Sequence, residues 1–186
     1  TMPDAESVVT GAWVGVGTRH EPWKANGVAH LVEHMMFKGT KKRSAYALSA
    51  AIENKGGEIN AHTSREATAY YARCLPENTE TAVDIISDML RHSLFASKEL
   101  DRERRVVVQE IGRDQDSPED YIFDLMYKTA LPHQKIGRSI LGSANVISTL
   151  PRAALQAYVS RLYVGANIVL VAAGKITHEA FLKMIK

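Results

Sequence analysis

Two histidines and a glutamate stand close together in the stretch His30-Leu31-Val32-Glu33-His34. The surrounding residues, VAHLVEHMMF, are otherwise apolar and recur at the spacing of a helix that packs on a core. A buried ionisable group is costly unless it is paired or binds a metal. The stretch therefore indicates either a set of well-paired core residues or part of a metal site.

The spacing of the two histidines favours a metal. Residues four apart on a helix share one face, so His30 and His34 present two imidazole nitrogens to one point. Catalytic zinc sites use three protein ligands, from histidine, aspartate or glutamate among others, and a water. Glu33 is poorly placed to be the third ligand while its neighbours chelate, and better placed to hold and deprotonate that water. The alternative is two core histidines bonded to backbone carbonyl groups.

The third ligand has to come from another element, and a charged helix predicted at residues 97–113 offers two carboxylates. Glu103 and Glu110 are seven residues apart, which is nearly two helical turns, so they share one face. A carboxylate on the apolar side of a helix needs a partner. Spacing alone leaves open the alternative that both carboxylates pair with arginines at the surface.

The composition suits one domain with a packed core, since 45% of the 186 residues are hydrophobic and 24% are charged. The net charge of +2 is too small to indicate nucleic acid or an anionic membrane as a partner. No apolar run approaches the ~18 residues of a transmembrane helix, so we expect no membrane insertion. Cys74 is the only cysteine, which excludes an internal disulfide and a cysteine-rich zinc site.

Periodicity and turn residues predict a mixed order of strands and helices. Strands are expected at residues 7–17, 58–63, 67–75 and 167–173, with a hairpin between the second and third and the last one buried. Helices are expected at residues 27–37, 44–55, 77–91, 97–113, 119–129 and 151–162. Asn26 and Ser97 are the expected N-caps of two of them. This order predicts an α+β fold in which helices pack on a mostly antiparallel or mixed sheet.

Longer stretches of the chain resemble one family of peptidases. H-x-x-E-H is the inverzincin signature, the inverted order of H-E-x-x-H. With HLVEHMMFKGT, GGEINAHTSREATAYYA, ERRVVVQEI, GRSILG and NIVLVAAG, the chain resembles the pitrilysin family. That family includes insulin-degrading enzyme and the mitochondrial processing peptidase β-subunit with its bacterial relatives. The resemblance covers nearly the whole chain and implies the metallopeptidase N-terminal domain fold of that family.

The resemblance also implies roles for individual residues. The family's third zinc ligand is a glutamate that follows the second histidine by 76 positions, and here that position is Glu110. His30, His34 and Glu110 would then bind one Zn2+, and Glu33 would be the catalytic general base. A second family glutamate falls on Glu103, which would be a supporting catalytic carboxylate that orients a ligand.

The stretch GGEINAHT resembles the family's substrate-binding edge strand. A peptide would add to it as an extra strand, through backbone hydrogen bonds at Asn60 and Ala61. Without the resemblance, this stretch is simply one strand of a hairpin. Phe37 is expected either to wall the site or to belong to the core. Thr63 and Tyr70 match the family pattern, and no role is assigned to them.

These expectations combine into a zinc-dependent endopeptidase that hydrolyses unfolded peptides, with residues 1–186 as its catalytic domain. The last residues, AFLKMIK, are expected to stop partway through an amphipathic helix. The resemblance implies a chamber that a second, similar half closes. We therefore expect a fragment that lacks the first few residues and the later half, and that needs a second half or a partner subunit.

Two alternatives stay open: a folded but catalytically incomplete domain, and a non-catalytic subunit that binds peptide or a partner. The first residues lack the basic start and apolar block of a signal peptide. The expected compartment is the bacterial cytoplasm or periplasm, with the mitochondrial matrix as the alternative.

Overall fold

The computed structural model describes residues 1–186. Its four strands are β1 Val8–Val14, β2 Glu58–Thr63, β3 Thr68–Cys74 and β4 Ile168–Gly174. Its eight α-helices are α1 Val28–Met36, α2 Ala45–Glu53, α3 Thr79–His92, α4 Ser97–Asp116, α5 Pro118–Ala130, α6 Ala144–Thr149, α7 Arg152–Leu162 and α8 His178–Met184. The fold is α+β, as the mixed order of elements predicts. None of the helices combines the length and apolar character that crossing a membrane requires.

The four strands form one sheet in the order β2-β3-β1-β4, and every neighbouring pair is antiparallel. The predicted hairpin joins β2 to β3, with Thr63 opposite Thr68 next to the turn. Successive side chains of a strand point to opposite faces, and on one face of β1 Val8, Ala12 and Val14 are buried. Because β2 and β4 come first and last in the strand order, they are the two edges of the sheet.

Helix α1 lies at the centre of the domain. It contacts β2, α4 and α7, and its apolar side chains Leu31, Val32, Met35 and Met36 are fully buried. Burying a side chain of this size contributes roughly 1.5–3 kcal/mol. The apolar packing fixes the helix, so the remaining polar face of α1 has a defined position between β2 and α4.

Both predicted N-caps are wrong. Helix α1 has Gly27 at the N-cap position, and the Asn26 amide donates to the carboxylate of Glu21 and to the carbonyl oxygen of Ser139. The Ala29 N–H, which an Asn26 cap would have bound, donates to Glu21 instead. In α4, Ser97 is the first helical residue and Ala96 takes the N-cap position.

Strand β4 is not the buried strand that its apolar sequence predicts. Val169, Leu170 and Val171 are 62%, 44% and 40% exposed. The strand pairs with β1 on one side only, because it is the edge of the sheet. A run of apolar residues does not distinguish a central strand from an edge strand. The short helix α6 is absent from the prediction, since six residues are too few to show helical periodicity.

The segment between α1 and α2 is held to α3 by Asp88, whose side chain is fully buried. The Thr40 hydroxyl and the Arg43 guanidinium donate to its Oδ2 at 2.7 Å and 2.8 Å, and His92 Nδ1 lies 3.1 Å from Oδ1. Burial acts to raise the pKa of Asp88, but these partners outweigh it and hold the pKa below its usual value. The carboxylate therefore stabilises the fold in its ionised form.

We expect Asp88→Ala to lower the free energy of unfolding by about 2–3 kcal/mol at neutral pH, because it removes the acceptor of a charged hydrogen bond. The folded-state pKa is the lower one, so this stabilisation is present above the unfolded pKa of about 3.9. It is lost as the pH falls through the folded-state value. Urea denaturation at several pH values measures the difference. Asp84→Ala is the control, because Asp84 also pairs with Arg43 but is 50% exposed. Equal losses in the two variants would contradict the role given to Asp88.

Candidate metal centre

Two imidazoles of α1 and a carboxylate of α4 converge on one point. Glu110 Oε2 lies 3.8 Å from His30 Nε2 and 3.4 Å from His34 Nε2. The centroids of the two imidazole rings are 4.6 Å apart. Spacing of four residues on α1 aligns the histidines, and packing of α1 against α4 brings Glu110 to them.

This donor set fits a zinc ion. One ligand atom from each of His30, His34 and Glu110 can be chosen so that all lie within 4.8 Å of one another. Tetrahedral zinc with bonds of ~2.0–2.1 Å needs ligand atoms roughly 3.3 Å apart, so small side-chain shifts suffice. Two histidines and one glutamate form a known ligand set of catalytic zinc sites.

The electrostatics of His30 suit a metal ligand. Burial lowers the pKa of His30 to about 4, and the neighbouring His34 acts in the same direction. The imidazole is therefore neutral at pH 7, which is the form that binds a metal. Its Nδ1 is buried without a hydrogen-bond partner, so packing rather than a hydrogen bond orients this ring.

His34 has a partner on each ring nitrogen. While Nε2 faces Glu110, Nδ1 lies 3.0 Å from Glu103 Oε2. The other oxygen of Glu103 lies 2.9 Å from the ammonium nitrogen of Lys38. Glu103 is only 5% exposed. Neither carboxylate pairs with an arginine, so the alternative of two surface ion pairs is wrong.

We expect Glu103→Gln to weaken zinc binding by about 10–100-fold, the range typical of residues that hydrogen-bond to a metal ligand without binding the metal. Glutamine keeps the shape but loses the charge that orients His34 and binds Lys38. Competition with a chromophoric zinc chelator measures the affinity. Glu99→Gln on the same helix is the control, because Glu99 bonds to Arg102. Unchanged affinity in Glu103→Gln would show that packing alone orients His34.

Glu33 lies on the same polar face of α1 and is held by β2. The Thr63 hydroxyl, at the end of that strand, donates to Glu33 Oε2 at 2.5 Å. Burial raises the pKa of Glu33, and the bond from Thr63 offsets part of this increase. The arrangement gives a carboxylate with a fixed position beside the two imidazoles.

The predicted substrate strand is an edge of the sheet. Asn60 and Ala61 lie on β2, which pairs only with β3, and the Ala61 N–H donates to Oδ1 of Asn60 at 2.8 Å. Phe37 follows α1 directly, is half-buried and packs against the core. The structure thus brings the end of β2 to Glu33, while Asn60 and Ala61 lie further along the same edge.

Sequence reasoning misses three residues around this centre. Lys38 stands four residues after His34, so helical spacing was a usable signal for it. Thr63 matches the family pattern, but nothing local connects it to Glu33, which is 30 positions away. Glu21 binds the start of α1 from the preceding loop, and only the folded chain shows this contact.

Comparison with known proteins finds one family of peptidases. Residues 1–144 match the Insulinase family, Peptidase family M16. The chain is 37% identical over 182 residues to a protein from Arabidopsis thaliana named probable mitochondrial-processing peptidase subunit beta. It is also 37% identical over 184 residues to a Bacillus subtilis protein named uncharacterized zinc protease YmxG. These alignments cover 98% and 99% of the chain.

The chain spans less than half of these relatives, 34% of the plant protein and 45% of the bacterial one. Among solved structures, pitrilysin superposes with a TM-score of 0.88 at 25% identity, over 99% of this chain and 20% of that one. The family match, the similarity to a named zinc protease and the fold agree with one another. The chain therefore belongs to the M16 family of zinc metallopeptidases and has the fold seen in pitrilysin.

Proposed function

We propose that residues 1–186 form the zinc-carrying catalytic domain of an endopeptidase that hydrolyses unfolded peptides. The observation that carries the proposal is the convergence of His30, His34 and Glu110, with Glu33 on the same helix face. One Zn2+ per chain would be held by these three ligands. The names of the relatives, a processing peptidase subunit and a zinc protease, support the same activity.

A zinc ion held there would act as a Lewis acid toward water and toward the peptide carbonyl group. Glu33 takes the proton of the attacking water as general base and then delivers a proton to the departing amine. The Thr63 hydroxyl holds one carboxylate oxygen in place during these transfers. Glu103, bound to Lys38, keeps the His34 ring in the orientation that points Nε2 at Glu110.

The free edge of β2 supports an extended peptide as substrate. A peptide segment that adds to an edge strand must be unfolded, since its own backbone groups have to be available. Asn60 and Ala61 provide the backbone contacts, and the Asn60 side chain leaves the Ala61 N–H when the peptide binds. Phe37 is half-buried, and the part of its ring outside the core is proposed to wall the site.

A second half or partner subunit completes the enzyme. The chain spans 34–45% of the relatives named above, so a longer protein has room for another half of similar size. The tetrahedral intermediate of peptide hydrolysis needs donors for its oxyanion. We assign those donors to that half. The chain alone is then a folded domain that binds zinc and hydrolyses no peptide. The named relatives are a mitochondrial and a bacterial protein, and we propose the bacterial cytoplasm or periplasm here, with the mitochondrial matrix as the alternative.

The test combines metal analysis with a peptide assay. We expect one zinc per chain by mass spectrometry, and no cleavage of a quenched fluorescent peptide by the chain alone. Joining the chain to the later half of the Bacillus subtilis relative is expected to give cleavage that a chelator abolishes. A chain that binds no zinc after reconstitution would overturn the proposed function. Cleavage by the isolated chain would instead overturn the need for a second half.

A further inference from the structure

Glu21 is a fully buried acidic residue outside the metal centre. It lies in the segment between β1 and α1, and its exposure is 0%. Glutamate is almost never fully buried unless it is paired. No lysine, arginine or histidine forms a salt bridge with this carboxylate. Its partners are therefore neutral N–H groups, and their position indicates what the residue does.

Both oxygens of Glu21 bind the start of α1. Oε2 accepts from the Gly27 N–H at 2.9 Å and from the Asn26 amide at 2.8 Å. Oε1 accepts from the Ala29 N–H at 2.8 Å. The first N–H groups of a helix have no partner within the helix, and the two carboxyl oxygens of Glu21 supply acceptors for them. Glu21 thus does the work of an N-cap from six positions before Gly27.

The surroundings leave the start of α1 little room to move. Gly27 has a φ of 96°, and a Cβ at this position would lie 2.5 Å from the carbonyl oxygen of Leu141. In addition, the Arg138 guanidinium donates to the backbone oxygen of Glu21 at 3.1 Å and lies over the Trp23 ring. Glu21 is therefore held in place itself, and it connects the first turn of α1 to the segment that carries Arg138.

This first turn carries His30, which directly follows Ala29. A rotation or shift of the helix start would move His30 relative to Glu110, whose carboxylate belongs to a different helix. The ring of His30 has no hydrogen bond of its own at Nδ1 that would hold it. We propose that Glu21 is a positioning residue of the metal centre, which sets the placement of His30 by bonding the first-turn N–H groups of α1. This inference rests on the proposed function.

The test uses Co2+ as the probe, because its visible absorption reports ligand geometry. In Glu21→Gln the side-chain NH2 group replaces one of the two accepting oxygens. Two hydrogen-bond donors then face each other at the start of α1. We expect Co2+ to bind about 10–100-fold more weakly, the range for residues that act on a metal through its ligands. The absorption band should also change in shape, with the far-ultraviolet dichroism unchanged. Glu66→Gln is the matched control, since Glu66 is 65% exposed and should behave as wild type.

Amide hydrogen exchange of the metal-free chain gives a readout that does not depend on the metal. The Ala29 amide should exchange roughly five- to tenfold faster in Glu21→Gln, as for a lost helix cap, with amides of α4 unchanged.

Wild-type affinity, spectrum and exchange in Glu21→Gln would overturn the inference. Glu21→Asp, one methylene shorter, covers the case in which Glu21→Gln does not fold. If neither variant folds, Glu21 serves the whole domain and the narrower role is overturned. A wild-type chain that binds no Co2+ contradicts the proposed function, while hydrogen exchange still tests Glu21.

Discussion

Replacing Glu110 by glutamine is expected to remove zinc from the chain. Glu110 is the only carboxylate that faces Nε2 of both His30 and His34, at 3.8 Å and 3.4 Å. A glutamine amide is a neutral and much weaker zinc ligand, and two imidazoles alone do not form a three-ligand site. The loss of affinity should exceed the ~100-fold upper limit typical of residues outside the ligand shell.

Metal content per chain, measured by mass spectrometry after dialysis against a weak chelator, checks this prediction. Wild type should retain one zinc per chain. Glu110→Gln should retain less than about a tenth of that amount, because its zinc affinity is expected to be more than ~100-fold weaker. Glu99→Gln, on the same helix and bonded to Arg102, should retain zinc as wild type does. Equal zinc in Glu110→Gln and wild type would remove Glu110 from the ligand set, and the third ligand would have to be sought elsewhere.

Helical spacing explains why much of the candidate centre is visible in the sequence. His30 and His34 are four residues apart, and Glu103 and Glu110 seven, so each pair shares a face whatever the rest of the fold does. What spacing does not give is the contact between the two helices. The family resemblance supplied that step, and the structure places Glu103 and Glu110 against His34 on different ring nitrogens.

The contacts that local patterns do not reveal join residues distant in sequence. Thr63 reaches Glu33 only because the end of β2 lies against α1, and no periodicity predicts that approach. At the start of α1 the local rule selects Asn26 as the cap, yet a buried glutamate from the preceding loop takes this role. In β4 the apolar run is correct as a strand, but its place at the sheet edge depends on the order of all four strands.

Replacing Glu33 by glutamine is expected to separate hydrolysis from metal binding. Glutamine has the shape of glutamate and its side-chain oxygen still accepts from Thr63, so the position of the side chain is retained. It cannot take up a proton at neutral pH, and removing a general base costs typically 10²–10⁴-fold in rate. In the chain joined to the later half of a relative, kcat should fall by about this factor.

Zinc content should stay at the wild-type value in Glu33→Gln, because Glu33 is not among the three converging donors. This pattern is the reverse of that expected for Glu110→Gln, in which activity falls because the metal is lost. Adding zinc at increasing concentration should therefore partly restore Glu110→Gln and leave Glu33→Gln unchanged. If added zinc restores Glu33→Gln, then Glu33 holds the metal rather than moving a proton, and the base has to be another group.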